Sequence, residues 1–244
     1  MAISIASAGL FVLSIAGPAR AGEPGSATEQ KDLRTVLFGS LDASRSGFGG
    51  VGFKRTLLDS LDRSGPAVLG SVGYGARFER DVSNPYEPEA IRHTAHGSAM
   101  IGYQRVTGWG VIAGFVGPEV DFERLAASYP SAHDSRPRWG ARLHGEVWAH
   151  PTANTLLTAT VIVGSARGEL WSRLSWGYRI WRDLFIGPEA TAYARDTDRD
   201  WQLGLHATGL AFGRFTLRLS GGWRWEDEGR RKGPYVGVTG YVRM

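Results

Sequence analysis

The chain has 244 residues, no cysteine and a formal net charge of +4, and glycine occupies 34 positions. Without cysteine it has no disulfide, no thiol nucleophile and no cysteine-based metal site. Charged residues make up 21% of the chain and are scattered along it. A nucleic-acid-binding surface needs clustered positive charge, so the composition argues against a nucleic-acid partner.

The start of the chain has the features of a secretory signal peptide. Residues 2–17 are small and apolar, and residues 19–21, Ala-Arg-Ala, form an A-x-A cleavage signature. No later segment approaches the roughly 20 apolar residues that a membrane-spanning helix requires. The sequence therefore predicts an exported protein with a signal peptide over 1–21, a disordered leader over 22–34 and a β domain over 35–244.

Strand-like segments follow one another through the β domain. The pattern predicts twelve strands, over residues 35–43, 48–57, 66–80, 92–105, 109–123, 137–149, 154–165, 169–180, 184–195, 200–212, 214–226 and 234–244. Helical periodicity is found only at residues 54–63, KRTLLDSLDR, which could form a helical turn between the second and third strands.

Polar and apolar side chains alternate along these strands. In residues 214–225, RFTLRLSGGWRW, arginines at 214, 218 and 224 alternate with phenylalanine, leucine and tryptophan. Residues 138–150, 169–181 and 201–211 alternate in the same way. Alternation gives a strand one charged and one apolar face. A charged face is unsuited to the interior of a β-sandwich but suits the lumen of an outer-membrane barrel whose apolar face contacts lipid.

The connections between the strands also favour a membrane barrel. Those after even-numbered strands are mostly short, whereas four that follow odd-numbered strands are longer and polar, at 80–91, 124–136, 196–200 and 226–233. This parity and an even strand count are typical of outer-membrane barrels. Aromatic residues near strand ends predict a girdle at the membrane surfaces: Trp139, Trp171, Trp181, Trp201, Trp223, Trp225, Tyr235 and Tyr241. We therefore expect an all-β, antiparallel up-and-down outer-membrane β-barrel of about 12 strands, surrounded by lipid in a Gram-negative envelope.

The predicted lumen-facing positions carry many charged residues. They are Glu119, Asp121, Arg142, Glu146, Arg173, Arg179, Glu189, Arg218 and Arg224. Their simplest role is to neutralise one another and fill a narrow barrel, and the alternative is a polar surface that guides a polymer or an anion. Two of the glutamates end F-x-G-P-E motifs, at 115–119 and 185–189. Proline removes a strand donor, so each motif predicts a β-bulge, with ligand binding by the glutamates as the alternative.

Other polar residues carry weaker functional signals. His96 and Ser98 form an H-x-S pattern that resembles the motif of outer-membrane lipid A deacylases, with serine as nucleophile and histidine as base. His144 and Glu146 alternate on one face, but no third metal ligand can be placed beside them. Tyr86 and Tyr129 lie in the longer loops and could stack on sugar rings or be ordinary loop residues. We expect neither a metal nor a cofactor.

Several segments resemble the cellulose biosynthesis protein BcsS family of alphaproteobacteria. They are GSLDASRSGFGGVGFKR at 39–55, GPEVDFE at 117–123, GEVWAHPTANTLLTATVIVGSARGELWSRLSWGY at 145–178, GPEATAYARDTDRDWQLGLHATGL at 187–210 and RLSGGWR at 218–224. The resemblance covers about residues 35–244 and brings no catalytic residues with it. It implies an accessory role in cellulose production or export at the outer membrane, with cellulose or other secretion components as possible partners.

We therefore expect a non-enzymatic outer-membrane accessory protein. Two alternatives stay open: a lipid A-modifying hydrolase that uses Ser98 and His96, and a small-solute porin. A twelve-stranded barrel filled by charged side chains is narrow for a polysaccharide, which favours an accessory role over a pore.

Overall fold

A computed structural model describes residues 33–44, 46–79, 90–126, 133–134, 136–195, 198–226 and 231–244. The predicted signal peptide, residues 22–32 of the predicted leader, and Tyr86 and Tyr129 lie outside the described residues. The strands are β1 (Thr35–Ala43), β2 (Ser46–Thr56), β3 (Gly65–Glu79), β4 (Ala90–Thr107), β5 (Gly110–Ala126), β6 (His133–Asp134), β7 (Arg138–Ala149), β8 (Thr155–Gly164), β9 (Glu169–Trp181), β10 (Leu184–Arg195), β11 (Asp198–Phe212), β12 (Phe215–Glu226) and β13 (Arg231–Arg243). The described part of the chain contains no helix that is long and apolar enough to span a membrane.

The twelve long strands form one closed antiparallel sheet. Each long strand pairs with the long strands that precede and follow it in the chain, so β5 pairs with β4 and β7. The two-residue β6 pairs only with β5. The last strand returns to the first, in a register that runs from Val36 opposite Arg243 to Ala43 opposite Val236. The Met244 carbonyl extends this seam by accepting bonds from the amides of Arg34 (2.9 Å) and Thr35 (2.8 Å). The predicted twelve-stranded antiparallel barrel is confirmed.

Apolar side chains cover the outside of the barrel. On β9, Leu174, Trp176 and Tyr178 are exposed, whereas Arg173 and Ser175, at the alternate positions of the strand, are buried. Among the strand residues whose side chains the structure describes, the exposed charged ones all lie near strand ends and are all cationic: Arg55, Arg105, Arg124, Arg138, Arg199 and Lys232. Over the described residues, the wall is apolar and carries charge at its rims, which is typical of membrane barrels.

The predicted aromatic girdle is only partly correct. Trp139 is 74% exposed, and Trp181, Trp201 and Trp223 also face outward. By contrast, Trp171, Tyr235 and Tyr241 are buried inside the barrel, at about one twentieth exposed each. Trp171 lies two residues before Arg173 on the inward face of β9, and the two tyrosines lie on the inward face of β13. Nearness to a strand end therefore does not predict whether an aromatic side chain faces outward. The odd or even position of the residue along the strand determines whether its side chain lies inside or outside the barrel.

Residues 54–63 do not form the predicted helical turn. β2 continues to Thr56, and the amides of Thr56 and Leu57 donate to the carbonyls of Arg34 (3.0 Å) and Pro66 (2.9 Å). The loop that follows folds against the barrel end that holds both termini, where Gln104 Nε2 donates to the Leu61 carbonyl (2.6 Å). Bonds to other segments replace the internal bonds that a helical turn would need.

The connections follow the predicted parity only in part. The turns at 108–109, 182–183 and 213–214 are short, as expected, and Arg214 lies in the last of them instead of on a strand. At the opposite barrel end the connections at 44–45, 165–168 and 196–197 are short too, and β11 begins at Asp198. The loops there are long only at 80–89 and between β5 and β7.

Neither F-x-G-P-E motif contains the predicted bulge. Pairing of β5 with β4 stops at residues 117–118 and resumes in the same register. β10 does the same against β9 at residues 187–188, and its register shift lies earlier, between Leu184 and Phe185. Proline therefore removes a bond without adding a residue to the strand. Glycine instead permits close approach, since a Cβ on Gly117 or Gly187 would lie 2.1 or 2.0 Å from a carbonyl oxygen of the next strand.

Gly117→Ala tests this close approach. We expect it to destabilise the folded barrel by about 1–3 kcal/mol, because the added methyl meets the neighbouring backbone. The matched control is Gly114→Ala on the same strand, where a Cβ has no atom within 4 Å. Urea unfolding in detergent micelles measures both variants, and equal midpoints for the two would contradict the role given to Gly117.

Leu174→Arg tests whether lipid surrounds the barrel. Leu174 lies near the middle of the outward face of β9. Arginine at the bilayer midplane costs a barrel about 2–4 kcal/mol, against roughly 0–1 near the interface. We therefore expect Leu174→Arg to lower the stability of the barrel in lipid vesicles far more than Phe212→Arg at the rim. No loss for Leu174→Arg would indicate that water faces this wall.

Candidate functional site: a buried ion-pair network

Charged side chains occupy the inside of the barrel on β2, β5, β7 and β9–β12. All nine sequence-predicted lumenal residues lie on inward-facing strand positions, and eight of them are buried; Arg179 is half-buried. Arg142 and Arg218 are about 2% and 1% exposed. Burial of so many charges is stable only if they are paired.

Glu189 is the centre of one group of pairs. Arg218 Nη2 donates to Glu189 Oε2, and Arg173 Nε lies 3.8 Å from the same oxygen. Arg218 also donates through Nη1 to Thr208 Oγ1 (3.1 Å), and that hydroxyl bonds His206 Nδ1 (2.8 Å). One carboxylate thus holds two arginines from β9 and β12 against the wall of β11.

Glu119 has a similar position on the other side of the lumen. Its Oε2 accepts a bond from Arg142 Nη1 (3.0 Å), and its Oε1 accepts from the Ala166 amide (2.8 Å). Arg142 also lies 3.7 Å from Glu169 Oε2. Each glutamate of the two G-P-E motifs therefore has its own arginine and does not need a ligand to balance its charge.

A third group lies towards the barrel end opposite the termini. Arg167 donates to Asp121 Oδ1 (2.7 Å) and pairs with Glu123 Oε2 (3.0 Å). Arg195, from β10, donates to Glu123 as well, and Arg92 lies 3.4 Å from it. This group links β4, β5 and β10 with the turn before β9.

Lys54 and Glu146 form a bridge between β2 and β7. Their Nζ and Oε1 atoms are 2.7 Å apart, and Lys54 is fully buried. His144 Nε2 lies 3.5 Å from the other oxygen of Glu146. The Lys54 ammonium also lies 5.3 Å from the centre of the Phe115 ring, within range of a cation–π contact.

Arg224 and Arg179 complete the set predicted from sequence. Arg224 donates to Asp200 and to Ser44 Oγ (3.2 Å). Arg179 stacks over the Phe185 ring at 5.2 Å, and no described carboxylate lies within ion-pair distance of it. Arg179 is thus the one predicted site arginine outside the ion pairs of the described residues.

Sequence patterns missed seven members of the network. They are Lys54, Arg92, Glu123, Arg167, Glu169, Arg195 and Asp200. Most of these have the inward parity of their strands and could have been found by extending the alternation. Arg167 could not, because it lies in a turn and strand parity does not apply to it.

His96 and Ser98 each lie opposite an acidic residue of β5. His96 lies opposite Asp121, and Ser98 lies opposite Glu119, in the β4–β5 register. Ser98 Oγ bonds Ser71 Oγ (2.9 Å), while arginines hold both carboxylates. Among the described residues, no group of three His, Asp or Glu side chains is placed to bind a metal ion.

The sequence matches the family model of the cellulose biosynthesis protein BcsS over residues 36–243. The chain belongs to this family. Among curated protein sequences, none matches it.

Solved structures similar to this BcsS-family barrel include the β domain of the Bordetella autotransporter BrkA. That domain is 14% identical, with a TM-score of 0.49, and the match covers 87% of this chain and 100% of that one. LpxR from Salmonella typhimurium is 11% identical, with a TM-score of 0.47 and coverages of 86% and 100%. OmpT, an outer membrane protein of Vibrio cholerae, is 10% identical, with a TM-score of 0.32 and coverages of 87% and 98%.

The ion pairs leave little space inside this BcsS-family barrel. A polar cavity among the charged strands measures about 50 Å³ and is bordered by Asp42, Trp171, Arg173, Glu189 and Tyr235. A water molecule occupies roughly 30 Å³ in the liquid, so the cavity has room for one or two waters. A sugar residue does not fit without movement of the surrounding side chains.

Glu189→Gln tests the network. The change leaves Arg218 and Arg173 buried without their carboxylate, so we expect a loss of about 3–5 kcal/mol in the free energy of unfolding. The control is Asp183→Asn in an exposed turn, which should change it by less than about 0.5 kcal/mol. Urea unfolding in micelles measures both. A loss no larger than that of the control would mean that Glu189 does not balance the arginines.

Proposed function

We propose that this protein is an outer-membrane barrel that serves as a non-enzymatic accessory component of bacterial cellulose biosynthesis or export. The family match over residues 36–243 is the observation that carries the link to cellulose. The closed sheet with its apolar outer wall supports a place in a membrane. The signal peptide expected from the sequence is consistent with export to the outer membrane.

The filled lumen favours an anchoring role over a conduit. Four ion pairs among the described residues join strands that are not neighbours in the sheet: Lys54 with Glu146, Arg195 with Glu123, Arg218 with Glu189, and Arg142 with Glu169. A polysaccharide could pass only if such pairs separated, and leaving a buried charge unpaired costs about 3–5 kcal/mol. Other cellulose-secretion components, or the polymer outside the barrel, are therefore better partners than a chain inside it.

The two alternative functions are less well supported. A lipid A hydrolase would need its serine and histidine beside the lipid, yet His96 is buried and both residues lie on the inward face of β4. A small-solute porin would need an open channel, and the polar lumenal cavity measures only about 50 Å³. The geometry of the lumen thus supports an accessory protein better than either.

Deletion of the gene tests the proposal. We expect cell-associated cellulose to fall while cellulose-synthase activity in isolated membranes is retained, and a plasmid copy to restore the polymer. A plasmid copy carrying Ser98→Ala should restore it equally and leave lipid A unchanged. Unchanged cellulose in the deletion strain would refute the accessory role, and altered lipid A would favour the hydrolase.

A further inference from the structure

The outer wall carries a polar pair beside the apolar surface. Tyr74 on β3 and His93 on β4 face outward, and Tyr74 Oη lies 2.5 Å from His93 Nδ1, with the rings stacked at 5.9 Å. Tyr74 is 54% exposed. Arg124 on β5 is also exposed and lies directly opposite His93 on one side and Asp134 of β6 on the other in the sheet register. Residues opposite one another share a face, so Arg124 lies on the same outer face as the Tyr74–His93 pair.

This group lies at one edge of the apolar wall. Outward positions of β4 run from Arg105 to His93, and the five between them are tyrosine, isoleucine, alanine, glycine and alanine. Twelve residues of a strand tilted by about 40° span roughly 30 Å, close to the height of the apolar band of a membrane barrel. His93 is therefore at headgroup level, on the side opposite the termini.

An apolar trough begins at Tyr74 and runs along the wall. Its first part, about 630 Å³, is bordered by Tyr74, Gly49 and Gly39. A second part of about 1070 Å³ shares Gly39 and Val72 with the first and continues towards Phe215. Glycines in place of larger side chains make this wall concave. The trough is long and open to the outside, as an extended hydrocarbon chain would require.

The polar group has the chemistry to hold a phosphate. When the tyrosine hydroxyl donates to His93 Nδ1, Nε2 of the neutral ring carries the proton and can donate to an anionic oxygen. The Arg124 guanidinium opposite it has five N–H donors, so it can bind an anionic oxygen in addition to a partner within the protein. The exposed charged strand residues at this rim, among those with described side chains, are all cationic.

We infer that Tyr74, His93 and Arg124 bind a phosphate of lipid A and that the glycine-lined trough holds one of its acyl chains. The inference rests on the membrane location proposed above and not on the link to cellulose. It assigns a binding site on the outer wall and no reaction. A site at headgroup level on the side away from the termini would fix the barrel in the lipopolysaccharide leaflet.

Native mass spectrometry of the full chain folded in detergent micelles tests the site. The probes are hexa-acylated bisphosphorylated lipid A, phosphatidylglycerol and inorganic phosphate. We expect the barrel to retain lipid A in preference to phosphatidylglycerol, and inorganic phosphate at millimolar concentration not to displace it. Equal retention of the two lipids, or displacement by phosphate alone, would overturn the assignment.

Two pairs of variants locate the binding. The double change Tyr74→Phe with His93→Ala should weaken lipid A binding by about tenfold or more, since it removes bonds to a charged group. Its control is Tyr178→Phe, at an equally exposed tyrosine (55%) on β9. Gly39→Leu should fill the trough and weaken binding, whereas Gly221→Leu on β12 should not. A Cβ at either glycine meets its nearest atom at the same distance, 3.4 Å.

The heat-dependent shift of the folded barrel on gels is measured for every variant. A variant that keeps this shift has a folded barrel. If folded test variants and folded controls weaken lipid A binding equally, the lipid site is refuted. Such a result would leave the barrel and the cellulose role standing, because the deletion experiment measures that role independently.

Discussion

Closure of the sheet between β1 and β13 is the constraint on which the rest of the structure depends. It gives each of the twelve long strands a partner on both sides, so the wall can lie in hydrocarbon without orphaned backbone groups. It also separates the side chains into only two environments. Every second residue must face a narrow interior, and the others must face outward. The alternation seen in β9 and β12 follows directly from that division.

The interior combines apolar packing with ion pairs. Val36, Phe38, Leu69 and Phe115 form a buried apolar cluster on the β1–β5 side, together with Leu61 from the loop after β2. Most of the arginines and carboxylates lie on the β5–β12 side, where two smaller apolar clusters are packed as well. Lys54 brings a charge into the β1–β5 side and pairs with Glu146. Leu61 explains why the loop after β2 forms bends and a turn instead of continuing as a helical turn, since its side chain is buried in the apolar cluster at the barrel end.

Sequence alone could identify the barrel because its information is periodic. Strand parity predicts that Arg142, Glu189 and Arg218 face the lumen, and the structure buries all three. Parity also predicts an inward Trp171, whereas its nearness to a strand end indicates a place in the aromatic girdle. Partners across the lumen could not be predicted in this way. The pair between Lys54 on β2 and Glu146 on β7 exists only because the wall closes, and no local pattern records how two distant strands face each other.

The glycines connect the two faces of the wall. Inside the barrel, a Cβ on Gly52 would lie 2.2 Å from the Phe38 ring, so this ring fills space over a glycine. On the outside, a Cβ on Gly70 would lie 2.6 Å from the exposed Phe53 ring, and glycines leave the wall of β1–β3 concave. Among the described residues, the interior is packed and paired. The proposed accessory role therefore depends on contacts made by the outer wall and the rims.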